Sequence, residues 1–294
     1  MNVILPRPRF PRGARRAQPH KLLAMRGLGR ALQDLAPPPP RYSSLTPNLQ
    51  LSFWGNDRYG CCPFTTMAFW RALITGLLPK PGTSEIVIPT SSVLNLDYQV
   101  TGGYNGSEIP DALQGAQTYG LVDANGITHK NGPYGGINYQ SQGQVMQGIS
   151  LFKMLVLGVD AQPLEDAGAG NGSGWVVPPG DGGTNLDHCI AALSYGENEW
   201  VAQDIAAKLG CTCTLPSGVD PLGFGVGLFT WGGIGGCPWE SYTGMTGEAY
   251  VVETDEDRSD SAAWNAIAAG DYQELVALPQ KKRLALRDFA RVAA

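Results

Sequence analysis

The chain is short of charge and has no long apolar run. Only 16 % of its 294 residues are charged, and no stretch of 18 apolar residues occurs, so no segment reads as a membrane-spanning helix. The N-terminus has charge but no apolar core segment of the kind a secretory signal needs. The expectation is therefore a cytoplasmic or virion-associated protein with reduced thiols among its six cysteines. No phosphate loop is present, because the Gly-rich run from Gly168 to Gly174 leads into no helix. Internal repeats are absent as well. What is plentiful is glycine (39) and proline (22), with 43 % hydrophobic residues. That composition describes a loop-rich globular protein of modest helix content, long enough for two lobes with a core.

Net charge is −5, unevenly spread. Residues 1–41 hold nine Lys/Arg against Asp34 alone, and residues 281–294 hold five against Asp288. The body between them has seven basic and 24 acidic residues, a net of −17. The first 20 residues alternate Pro, Arg and Gly without periodicity and cannot bury a core. We read 1–41 as a basic Pro/Arg-rich arm, with one short helix over 21–35 and a stiff exit at Pro37 to Pro40. Such an arm suits neighbouring protein subunits or the chain's own cleft. Nucleic acid is disfavoured, since the acidic body repels it and no aromatic residues interleave with the basic ones. The remaining organisation is a helical lobe over 42–145, a β lobe over 146–257 and a helical tail over 258–294. Within the β lobe, Phe152 to Val159, Trp200 to Ala202, Phe224 to Trp231 and Ala249 to Val252 read as strands. Residues 122–144 and 165–185 read as loops.

Chemistry concentrates at Trp54-Gly55-Asn56-Asp57-Arg58-Tyr59-Gly60-Cys61-Cys62-Pro63. The segment begins as a turn and ends as a helix, because Pro63 suits a first helical position and Phe64, Met67 and Ala68 follow at helical spacing. Cys62 is then the N-cap, with unpaired N–H groups and the positive end of the dipole at its sulfur, a placement that lowers a thiol pKa. The plainer alternative is a small buried residue. A second stretch, Asp187-His188 through Tyr195-Gly196, reads as a strand with a histidine at its start.

Together these stretches resemble the papain-like cysteine peptidases. A D-H-x-x-x-x-x-x-Y-G run carries that family's histidine, and its nucleophile opens a long helix after a Gly-rich turn. Its oxyanion glutamine lies six residues before the cysteine, where this chain has Asn56. Thr230-Trp231-Gly232-Gly233 looks like the family's Trp-Gly segment, and Tyr98 to Leu121 like its Gly-rich turn and helix. The resemblance spans about residues 42 to 257. It is stronger to a divergent phage and bacterial group with a G-N-D-x-Y-G-x-C start. What the resemblance implies is an α+β, two-lobe fold, helical lobe against antiparallel β lobe, with the site between them. It implies Cys62 as nucleophile, His188 as base, and Asn56 with the Cys62 N–H as oxyanion donors. One position departs from the pattern: the family's orienting asparagine falls at Phe229, which cannot accept a hydrogen bond. Thr230, or a residue of the insertion after Tyr195, is the candidate replacement.

Rival readings remain beside this one. Cys61 is an alternative nucleophile, but the residue six before it is Gly55, which has no side-chain donor. Cys211, Cys213 and Cys237, with Cys189, form an alternative zinc set, although their spacing is not C-x₂-C and no histidine lies near in sequence. We expect no metal and no cofactor, and assign no role to His20 or His129. Two functions follow. One is a cysteine peptidase (thiol protease) or amide hydrolase acting on a peptide or protein substrate. The other is an inactive papain-like fold serving as a structural or decoration protein of a phage particle, attached through its arm.

Overall fold

The computed structural model describes residues 10–18, 37–47, 49–77, 86–180, 182–183 and 185–254. The helix expected over 21–35 and the tail over 258–294 lie outside the described residues.

The organising helix, α1, runs Cys62–Leu77 and buries twelve of its sixteen residues. A helix apolar on every side has to sit inside a domain, and α1 does. Helices α2 (Thr90–Thr101) and α3 (Ile109–Thr118) pack on one side of it. On its other side lies β8 (His188–Glu197), the central strand of an antiparallel sheet. The sheet order is β10 (Gly233–Pro238), β9 (Phe224–Thr230), β8, β7 (Leu155–Val159), β11 (Thr246–Thr254) and β6 (Asn131–Ile137). A short seventh strand, β2 (Tyr42–Ser43), pairs with the far end of β8.

The two faces of this sheet feed two cores, and β8 shows how. Cys189, Ala191 and Leu193 pack with Phe64, Met67 and Phe69 of α1. Ile190 and Ala192 pack with Val145 and Ile149 of α4 (Gln142–Phe152) on the opposite face. Side chains of a strand alternate between faces, so each residue's parity decides which core it enters. This alternation governs the site.

Three local expectations are corrected. The strand expected from Phe152 starts instead at Leu155, because Val145, Ile149 and Phe152 recur at helical spacing and Ser141 caps α4 by accepting the Gln144 N–H. Trp200 to Ala202 belongs to α6 (Asn198–Leu209), with Val201 and Ile205 one turn apart on its buried side. A three-residue apolar run does not separate helix from strand. Residues 122–144, expected as loops, contain β6. Three glycines and a proline hide its alternation, and its place at the sheet edge tolerates them.

Three further short elements complete the helical side: β3 (Ser107–Glu108) and the hairpin of β4 (Leu121–Val122) with β5 (Thr128–His129). Beyond β7 comes α5 (Gln162–Asp166). Strand β1 (Ala14–Arg15) of the arm pairs parallel with β3, so residues 10–18 lie on the chain's own body.

Candidate active site

Cys62 occupies the first turn of α1, one position inside the N-cap expected for it; Cys61 supplies the carbonyl that accepts the N–H of Thr65. The two neighbouring thiols point in different directions. Cys61 faces the helical core, with its sulfur 3.8 Å from the Trp54 carbonyl and 3.6 Å from Thr65 Oγ1. The Cys62 sulfur faces the sheet, near enough to the backbone amides of Cys189 and Gly13 for both to favour its ionised form. Cys189 follows His188, so Cys62 meets β8 at the strand's first residues. Both thiols are fully buried. Burial pushes Cys61 up to about 12 and Cys62 higher still. This corrects the expectation of a lowered thiol: the helix end and two amides favour the thiolate, but exclusion of water outweighs them.

His188 is also fully buried. Its Nε2 lies 2.6 Å from Thr230 Oγ1, and its ring stacks on Trp231 with centroids 4.3 Å apart and planes 17° from parallel. The other nitrogen, Nδ1, has no hydrogen-bond partner. Burial, and then the nearby Arg12 charge, lower the imidazole to about 3. Strand parity explains why Thr230 is the partner. Phe229 pairs across the ladder with Ala191 and shares its face, so its ring turns to α1 and stacks on Phe69 at 3.7 Å and 4°. Thr230, one residue on, turns to the face of His188.

Asn56 sits in the turn before α1, 1 % exposed, with Oδ1 unpaired. Trp54 and Gly55 before it both have positive φ, +46° and +90°. Glycine takes that geometry freely and tryptophan does not, so the turn carries backbone strain at Trp54. The indole Nε1–H of Trp54 donates to the Ile88 carbonyl at 2.8 Å and fixes the turn against the helical core.

Sequence reasoning left the arm's cleft residues without a role. Phe10 stacks on Trp231 at 5.0 Å and lies 5.7 Å from Phe53. Arg12 donates to Asp187 Oδ2 at 2.6 Å and pairs with Glu165 at 3.2 Å. The Gly13 carbonyl accepts the Ser107 N–H at 2.8 Å, and the Ala14 N–H donates to the Asp187 carbonyl at 3.1 Å. One strand of arm thus bridges the helical side and the β side directly over Cys62. No motif in the Pro/Arg/Gly-rich sequence marks this seat; the glycine between Arg12 and Ala14 is the sole hint.

All six cysteines are free thiols, and the described residues contain no group of three His, Cys, Asp or Glu able to hold a metal. Cys237 bonds to the Pro238 carbonyl, and Cys211 to that of Ile205. His129 closes the β4–β5 hairpin on Asp123 at 3.1 Å. No described helix is long and apolar enough to cross a membrane.

No protein-family model matches the chain, and no curated protein matches it in sequence. Solved structures do match. Xylellain, a cysteine protease from Xylella fastidiosa, is 11 % identical over 82 % of this chain and 91 % of its own, with a TM-score of 0.50. Digestive procathepsin L 3 of Tenebrio molitor larval midgut is 12 % identical over 74 % of this chain and 71 % of its own, TM-score 0.50. The Amb a 11 cysteine protease of ragweed pollen, in its proform, is 11 % identical over 76 % and 67 %, TM-score 0.51. At such identities the likeness is one of fold. The chain has an α+β papain-like fold, with a helical lobe packed against an antiparallel β lobe.

Proposed function

We propose that this chain is a cysteine peptidase or related amide hydrolase in which Cys62 is the nucleophile and His188 the base. The observation that carries the reading is the histidine's environment. Thr230 Oγ1 engages Nε2, Trp231 fixes the ring plane, and Nδ1 is left bare beside the strand residue whose amide meets the Cys62 sulfur. An imidazole held by one nitrogen and free at the other is a base awaiting a proton. Nδ1 takes the thiol proton, and the thiolate attacks the substrate carbonyl. The resulting oxyanion is met by the Cys62 N–H and the Asn56 side chain. Collapse breaks the C–N bond, and the amine leaves with the proton from the imidazolium. Water then gives a proton to Nδ1 and hydrolyses the thioester, releasing the acid and the thiol.

In the seated state the arm holds this site closed. It excludes water from both groups, so thiol and imidazole are each neutral. Its nearest peptide group also meets the sulfur wrongly: Gly13 turns its N–H to Cys62 and its carbonyl to Ser107. A carbonyl pointed away from the thiol is not attacked, so the arm blocks without being consumed. The alternative, an inactive phage decoration protein tethered through its arm, draws on the basic charge of 1–41, on Phe229 at the orienting position and on the resemblance to a phage group. Deleting residues 1–36 and measuring hydrolysis of a fluorogenic peptide library and self-association separately distinguishes the two. Raised hydrolysis supports the closed peptidase; lost association with no hydrolysis supports the tether.

A further inference from the structure

We propose that the cleft selects basic polypeptide segments that place glycine at Cys62, an arginine beside it and an aromatic ring two residues beyond that arginine. This rests on the peptidase reading for its consequence, control of hydrolysis, but not for the binding it describes. The arm is treated as a mould of three adjacent sites, each built from residues outside the catalytic group.

The first is a slot. A Cβ added to Gly13 would lie 1.8 Å from the Gly60 carbonyl oxygen and 2.6 Å from Gly60 Cα. On the opposite side, a Cβ on Gly106 would lie 2.2 Å from the Gly13 oxygen, and Gly106 has φ +85°, so it is itself held to glycine. Backbone walls do not swing aside as side chains do, so any side chain at the position over Cys62 is excluded. The second is a charged pocket. Asp187 Oδ2 lies 2.6 Å and Glu165 Oε2 3.2 Å from the Arg12 guanidinium, with Gln162 Oε1 at 3.3 Å. Asp187 is also fixed by the Ala161 N–H and by Asn185 Nδ2, so the carboxylate is in place before a guanidinium arrives. The third is an aromatic shelf. The Phe10 ring lies on Trp231 and beside Phe53, and a Cβ on Gly170 would come within 2.3 Å of that ring. Gly170 therefore leaves space that a flat side chain fills. Trp231 is itself stacked on His188, so occupancy of the shelf is felt at the base.

The three sites take successive parts of residues 10–13, and the acidic pocket is opposite in sign to the arm, one of the chain's two basic ends. A side chain at the slot or an acid at the pocket should be rejected even when everything else fits, because specificity comes as much from clash and like charge as from attraction.

The test uses the full chain carrying Gly13→Val, which cannot seat its own arm, with Arg12→Glu as a second unseated form. The probe peptide is Phe-Pro-Arg-Gly-Ala-Arg with blocked ends, and the readout is iodoacetamide labelling of Cys62 located by peptide mapping. Labelling should rise over the native chain in both variants, and the peptide should slow it again at saturation. Replacing the peptide's glycine by valine, or its first arginine by glutamate, should raise the half-protecting concentration at least roughly tenfold; replacing phenylalanine by alanine should raise it about fivefold. Equal protection by all four peptides, no protection by the parent, or unchanged labelling in Gly13→Val would each overturn the proposal. Hydrolysis of a fluorogenic peptide library by the Gly13→Val chain is followed in parallel. Selective protection with no hydrolysis of any library member would sink the peptidase reading and leave the binding specificity standing.

Discussion

Replacing Arg12 by alanine should open the site by an amount that can be worked from the geometry. Arg12 reaches Asp187 at 2.6 Å and Glu165 at 3.2 Å, with side-chain exposures of 28 %, 18 % and 12 %. A hydrogen bond to a charged group nets about 1.5–3 kcal/mol when well buried, and an exposed pair far less. Asp187 keeps the Ala161 and Asn185 donors once Arg12 is gone, which limits its penalty. Taken together, the loss should be about 2 kcal/mol of arm seating, or a roughly 30-fold larger open fraction. While the open state stays rare and exchanges faster than alkylation, the labelling rate of Cys62 follows that fraction. The assay is iodoacetamide labelling at neutral pH and low salt, resolved by peptide mapping, beside an Arg58→Ala control. Arg58 is exposed and pairs with Asp57, so its loss should change nothing. Raising salt should speed labelling of the native chain and narrow the gap, because ion pairs that keep some exposure are screened. A change in Cys62 labelling below about threefold at low salt would falsify the claim that this ion pair holds the arm.

Four further outcomes are expected. In the Gly13→Val background, Cys62→Ala should abolish peptide hydrolysis and Cys61→Ala should leave most of it, since only the Cys62 sulfur faces the amides of Cys189 and Gly13; a dead Cys61 variant would shift the register by one. Thr230→Val should lower kcat/KM about 10- to 100-fold by freeing Nε2 of His188, while Thr230→Ser keeps most activity; equal loss in both would make the hydroxyl irrelevant. Phe229→Asn should destabilise by about 3–5 kcal/mol in urea unfolding without improving catalysis, because that side chain fills the core against Phe69; a gain in kcat would refute the strand parity. Finally, His188 is lowered to about 3 from 6.5 in the folded chain. The unfolded chain therefore binds the extra proton between those values, so the stability is fully present above pH 6.5 and is lost as pH falls, by about 1.4 kcal/mol per unit. Urea unfolding at pH 6.5 and 4.5 should show native protein losing about 2–3 kcal/mol more than His188→Gln. Parallel losses would mean that the imidazole is not held neutral by burial.

The limits of what the sequence discloses have physical causes. The helix start at Cys62 and the strand start at His188 were legible because local chemistry leaves a mark at each: Pro63 after a glycine turn sets a helix start, and Asp187-His188 opens an apolar strand. The fold class followed from the order of those marks. Phe229 was misleading for the reason that makes strands informative. Counting along the chain puts it where an orienting residue belongs, but a shift of one residue in a strand changes the face, and pairing with Ala191 sends Phe229 to α1. Thr230 could be named as a candidate from its neighbour, yet only the ladder decides between them. The thiol's protonation state was illegible in principle. The helix start argues for a thiolate, whereas burial depends on whatever lies above the cleft, and that is a segment 49 residues earlier whose composition argues for no structure at all. Phe10, Arg12 and Gly13 gain meaning from surfaces supplied by Trp231, Asp187 and Gly60, none of them near in sequence. Residues 10–18 have a composition that does not order itself, and they lie here on a body that is acidic, narrow and aromatic in matching places. Their conformation is therefore a property of the pair: composition left the cleft as one of two seats, and neither stretch alone says which residues enter it.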